Sequence, residues 1–95
     1  MTTESLTRTV IVTNRHGLHA RPALAIVNTV RKYDAQVTIS RGNQMADATS
    51  MLDLLCFGAE QGTKLLLSAK GRQAAEVLAA LAELFAIEFD VDYKD

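Results

Sequence analysis

The sequence predicts an α+β open-faced sandwich, in the order β-α-β-β-α-β-α over 95 residues. Three observations carry that prediction. Segments rich in β-branched residues take turns with segments of helical periodicity. Two strand segments are joined by the short hairpin turn Arg41-Gly42-Asn43, so the four-stranded sheet is mainly antiparallel. The strands alternate apolar with polar positions, so three helices cover one face and the other faces water.

Each element has its own signal. Residues 6–13, Leu-Thr-Arg-Thr-Val-Ile-Val-Thr, read as the first strand, and Asn14-Arg15-His16-Gly17 breaks it. Ala23, Ile26, Val27 and Val30 then recur at helical spacing, and the helix ends near Arg31-Lys32. Ala35, Val37 and Ile39 alternate with Gln36, Thr38 and Ser40 as a half-buried strand, and a weaker strand follows at Gln44–Ala48. Ser50 with Asp53 three residues on predicts an N-cap and a short helix to Phe57, with Gly58 at its C-cap. Thr63–Ala69 reads as a strand closed by Gly71, and Ala74, Leu78, Leu81, Ala82 and Phe85 mark the longest helix, 73–87. The domain is read as 1–95, with a core at 6–87 and an acidic tail at 88–95. That tail is a solvated end unless Phe89, Val91 and Tyr93 fold back.

Composition narrows the function. Hydrophobic residues make up 48% and charged residues 22%, as in a globular domain that buries one modest core. No apolar run approaches a membrane span, and the N-terminus lacks a signal-peptide pattern, so no membrane insertion is expected. The single Cys56 excludes an internal disulfide and a Cys-based zinc site. It reads as a small core hydrophobe in a cytoplasmic protein. Residues 1–50 carry net +3 and residues 51–95 net −4. A basic first half suits an anionic ligand or an acidic protein surface, and it is too weak for nucleic acid.

The chemistry gathers in one loop, His16-Gly17-Leu18-His19-Ala20-Arg21-Pro22-Ala23. His19 stands where an N-cap belongs, although Ser, Thr, Asp or Asn is preferred there. Arg21 lies in the first helical turn, where a cation opposes the helix dipole. Pro22 is tolerated there. Two local rules broken at one helix start point to a functional site, and an anion resolves both. The helix start (Ala20, Arg21) offers amides and partial positive charge to a phosphate, and Arg21 adds charge-assisted hydrogen bonds. An imidazole is mostly neutral near pH 7 and then nucleophilic, so a histidine here suits reversible phosphoryl transfer. Residue types alone leave a solvated turn histidine open as a second reading. His16 and His19 without a carboxylate or thiol make a poor metal site, so no metal and no cofactor is expected.

The segment Gly17-Leu18-His19-Ala20-Arg21-Pro22-Ala23 resembles the active-site signature of HPr, the histidine-containing phosphocarrier of the bacterial phosphoenolpyruvate-dependent sugar phosphotransferase system. Ser50-Met51-Leu52, Gly58, Gly62 and Ala69-Lys70-Gly71 agree in register. The resemblance covers residues 6–87. It implies His19 as phosphoacceptor through Nδ1, Arg21 as phosphate partner, and Met51, Leu52 and Leu55 as a docking surface. It implies enzyme I as donor, the A components of sugar permeases as acceptors, and a monomeric relay without turnover of its own. A serine kinase/phosphorylase acting on Ser50 is implied by some members. Departures are His16, where many relatives have Asn, and Asp53, where many sugar-system members carry a basic residue. The Phe89-Asp90 ending is similar to carriers of the nitrogen-regulatory branch, the same-family alternative. A domain that docks without being phosphorylated and a small-ligand-binding domain are the rivals. Pure docking needs neither His19 nor Arg21, and a ligand pocket would be lined by apolar side chains.

Overall fold

Alternation of apolar and polar residues builds the sheet. The computed structural model describes residues 5–91. Its strands are β1 (Leu6–Ile11), β2 (Gln36–Arg41), β3 (Gln44–Asp47) and β4 (Lys64–Lys70). Its helices are α1 (Ala20–Val30), α2 (Met51–Phe57) and α3 (Ala74–Ala86). The sheet order is β1-β4-β2-β3, with every neighbouring pair antiparallel. The architecture is the expected open-faced α+β sandwich.

Register follows from the side-chain period of two. Val10 lies opposite Leu65, Ile39 opposite Leu67, and Ala46 opposite Ile39, so inward residues of neighbouring strands face one another. These residues are all buried, and Ile26, Val27 and Val30 of α1 with Val77, Leu78 and Leu81 of α3 complete the core above them. Leu54 and Phe57 add the buried side of α2. Helix α1 packs on both α2 and α3. Burying a Val- or Leu-sized side chain contributes about 1.5–3 kcal/mol.

Three expectations need correction. The open face is less polar than alternation implied, since Ile11, Leu66 and Met45 stand exposed among Thr, Ser and Lys. Cys56 is exposed on α2 and is not a core residue, because Leu54 and Phe57 take the inward positions of a two-turn helix. The first strand stops at Ile11, yet Val12 still donates to the Thr63 carbonyl (2.9 Å) and accepts from Gly62 (2.7 Å), which aligns the chain entering the His19 loop.

Beyond α3 the chain turns back. Glu88 and Phe89 both have positive φ, 55° and 60°. Two non-glycine residues in this region cost about 1–2 kcal/mol each. Burial of the Phe89 ring edge-on to Phe85, with centroids 4.8 Å apart, offsets that cost. The Phe89 N–H donates to the Leu84 carbonyl (2.9 Å) and locks the turn. Phe89 therefore folds back onto the core, Val91 stays exposed, and Tyr93 lies outside the described residues.

Candidate functional site

The loop between β1 and α1 is held from two sides. Asn14 and Gly17 close a turn, with the Gly17 N–H on the Asn14 carbonyl at 3.2 Å. The Leu18 N–H donates to the Ala59 carbonyl at 2.9 Å, tying the loop to the segment that leaves α2. Gly17 takes φ 68°, and a Cβ there would meet the Ala59 oxygen at 2.3 Å. Only glycine fits both the backbone angle and the space. Leu18 is buried, so its neighbour His19 is turned outward.

His19 is the N-cap of α1, in extended conformation (φ −87°, ψ −165°), and its side chain makes no capping hydrogen bond. The imidazole therefore leaves the helix start uncovered, and the Ala23 N–H makes the first helical bond to the His19 carbonyl (3.0 Å). By geometry the first-turn amides lack intrahelical acceptors, and the first turn contains no acidic residue. The position thus favours an anion.

A shallow groove of about 310 Å³ opens over this helix start. It is lined by Asn14, Arg15, His16, His19, Arg21 and Pro22 on one side and by Glu88–Val91 on the other. The rings of His16 and His19 meet edge-on, with centroids 5.8 Å apart. Sequence reasoning had singled out His16, His19 and Arg21, and the fold brings all three to the groove. Arg15, Glu88 and Asp90 were missed as site residues. Arg15 could have been found from the charge excess of residues 1–50, but nothing local marks the other two. Among the described residues no three His, Cys, Asp or Glu side chains gather as a metal ion would require.

Helix α2 begins at Ser50, whose hydroxyl accepts the Asp53 N–H (3.1 Å). Asp53 reaches back to accept the Asp47 N–H (3.1 Å), so it ties α2 to the end of β3. Asp47 accepts both the backbone N–H (2.9 Å) and the hydroxyl (2.7 Å) of Thr49. Those bonds hold its carboxyl below the usual carboxylate range. On α2, Leu52 is 70% exposed and Leu55 44%, while Met51 is half-buried against the core. Such large apolar side chains in the open suit a partner surface. Met51, Leu52 and Leu55 and the groove thus lie on two parts of the chain joined by the Leu18–Ala59 bond.

Comparison with known proteins places this geometry in a family. A model described as the PTS HPr component phosphorylation site matches residues 6–86. The chain belongs to the HPr phosphocarrier family. Phosphocarrier protein NPr of Klebsiella oxytoca is 36% identical over 86 residues, covering 90% of this chain and 96% of that protein. NPr of Escherichia coli K12 is 37% identical over 87 residues. The multiphosphoryl transfer protein of Salmonella typhimurium is 29% identical, and the chain spans 24% of its length. Among solved structures, HPr-C-His of Thermoanaerobacter tengcongensis superposes with a TM-score of 0.86 at 32% identity, covering 92% of this chain and 98% of that one. This chain is thus an HPr-type phosphocarrier of the phosphotransferase system. Among the described residues of this HPr-type chain no helix is long and apolar enough to cross a membrane.

Proposed function

We propose that this phosphocarrier takes a phosphoryl group on His19 from a phosphorylated enzyme I and passes it to a second protein, acting as a monomer in the cytoplasm. The observation that carries the reading is His19 at the start of α1, its side chain free of any capping bond, over a groove shared with Arg21. In the loading step the neutral His19 ring attacks with Nδ1 while its proton stays on Nε2. The bond from phosphorus to the donor atom of enzyme I breaks, its electron pair staying with the donor, as the P–Nδ1 bond forms, and unloading passes the group to the acceptor in the same way. Such transfer depends mainly on positioning and charge stabilisation. The start of α1 at Ala20 and the Arg21 guanidinium supply the charge, and the partner excludes water. Met51, Leu52 and Leu55 form the docking surface, which serves donor and acceptor in turn and releases each quickly.

Sugar-permease A components are the acceptors implied by the active-site signature. A second reading, the nitrogen-regulatory branch, is favoured by a specific observation. Two relatives named NPr match at 36–37% identity over nearly their whole length. Asp53, committed to bonding β3, also leaves that part of α2 acidic where many sugar-system members carry a basic residue. These observations fit the nitrogen branch no worse than sugar transport. Ser50 is a modification site only for a kinase that first breaks its capping bond, and Asp53 repels the added phosphate.

Intact mass after incubation with phosphoenolpyruvate and enzyme I of either branch tests the assignment. One acid-labile phosphoryl group on the native chain and none on His19→Ala is expected. Labelling of both chains would move the site elsewhere, and labelling of neither by active enzyme I of both branches would refute the carrier reading.

A further inference from the structure

Asn14 is the one polar residue in the buried set among the described residues, 8% exposed. Its side-chain Nδ2 donates to the Gly17 carbonyl at 2.7 Å, the shorter of the two bonds that close the 14–17 turn. That same carbonyl accepts the His19 N–H at 3.0 Å. One oxygen therefore joins the Asn14 side chain to the backbone of His19. The Asn14 Oδ1 is buried and has no hydrogen-bond partner. An orphaned buried acceptor is costly to stability and calls for an explanation. An apolar side chain would fill the same space without that cost, so packing does not account for Asn14.

We propose that Asn14 is the positioning residue of the phosphoacceptor, fixing the Gly17 carbonyl and through it the place of the His19 ring in the groove. The proposal rests on His19 being the acceptor, as argued above. Gly17 stands in the left-handed region with its outer side against Ala59, and Leu18 is pinned to the same Ala59. Those contacts fix the loop on its far side. Asn14 fixes it on the groove side, which it lines together with His16 and His19. Without the Nδ2 donor the planar Gly17–Leu18 peptide is held from the Ala59 side alone, and the His19 N–H bonded to its carbonyl is held less firmly. Phosphoryl transfer is sensitive to misplacement on the ångström scale, where losses reach about a hundredfold.

The test compares Asn14→Ala and the size-matched Asn14→Asp, both lacking the amide donor, with Val77→Ala, a core truncation in α3. All are assayed well below their melting temperatures. The expected result is a fall of about tenfold or more in the rate of phosphoryl acceptance for both Asn14 variants and a native rate for Val77→Ala. Amide exchange at His19 should quicken in the Asn14 variants while amides in α3 keep their protection. Native acceptance rates in the Asn14 variants would overturn the proposal, and so would an equal fall in Val77→Ala, which would trace the loss to stability alone. Asn14→Asp keeps the question answerable if the alanine variant fails to fold. The exchange measurement needs no phosphoryl transfer, so it separates failure of this proposal from failure of the carrier reading. Unchanged exchange at His19 would overturn it even where the native chain is labelled.

Discussion

Replacing Gly17 by Ala isolates what holds the His19 loop, because Gly42 provides a matched control. Both residues have positive φ, 68° and 59°. A Cβ at Gly42 meets nothing within 4 Å, whereas one at Gly17 lies 2.3 Å from the Ala59 oxygen and 3.0 Å from the Glu60 Cα. Gly42→Ala thus suffers only the left-handed penalty, about 1 kcal/mol. Gly17→Ala suffers that penalty too and must push the loop off Ala59. The move breaks the Leu18–Ala59 hydrogen bond, worth about 1 kcal/mol, and strains packed neighbours by about 1–3 kcal/mol. The gap between the variants is then about 2–4 kcal/mol. At about 4–8 °C per kcal/mol for a domain of this size, melting temperatures should differ by about 8–32 °C, with Gly17→Ala lower. Thermal unfolding followed by circular dichroism measures it. Equal melting temperatures would show that the Ala59 segment yields without cost and does not pin the loop.

Four further outcomes are expected. Arg21→Ala should keep the melting temperature within a few degrees, since Arg21 is exposed, yet shorten the lifetime of the phosphorylated chain; an unchanged lifetime removes Arg21 from the site. Phe89→Ala should cost about 3–4 kcal/mol, because burial of the ring offsets the unfavourable conformation of Glu88 and Phe89, and denaturant titration reads it. Leu52→Ser with Leu55→Ser should leave stability within about 0.5 kcal/mol and weaken enzyme I binding in calorimetry, as both side chains are exposed. Thr49→Val removes the hydroxyl that bonds Asp47 and should raise that carboxyl toward its ordinary value in an NMR titration. Since the folded state depresses the Asp47 pKa, its contribution to stability is present above the unfolded value and is lost as pH falls through the folded one. Thr49→Val should therefore flatten the loss of stability on acidification below about pH 4.

How much was legible in the sequence depended on the range of the interactions involved. Helix α1 was readable because Ala23, Ile26, Val27 and Val30 repeat along one face, and α2 because Ser50 and Asp53 form a local cap. The order of elements and the odd N-cap at His19 follow from neighbours in the chain. Cys56 was misplaced because helical spacing alone does not say which side of a two-turn helix faces the core. Only contact with β3 and α1 settles that.

The sequence by itself determined the fold class and pointed to His19, Arg21 and Ser50, since each reading rests on local rules of periodicity, capping and charge. The tertiary structure alone decided what surrounds them. Glu88 and Asp90 reach the groove through a turn that burial of Phe89 stabilises, more than 60 residues from His19 in the chain. The need for glycine at position 17 comes from the Ala59 carbonyl, and the part played by Asn14 comes from a carbonyl it shares with His19. Contacts of that kind depend on close packing between distant segments, and a pattern along one chain does not encode them.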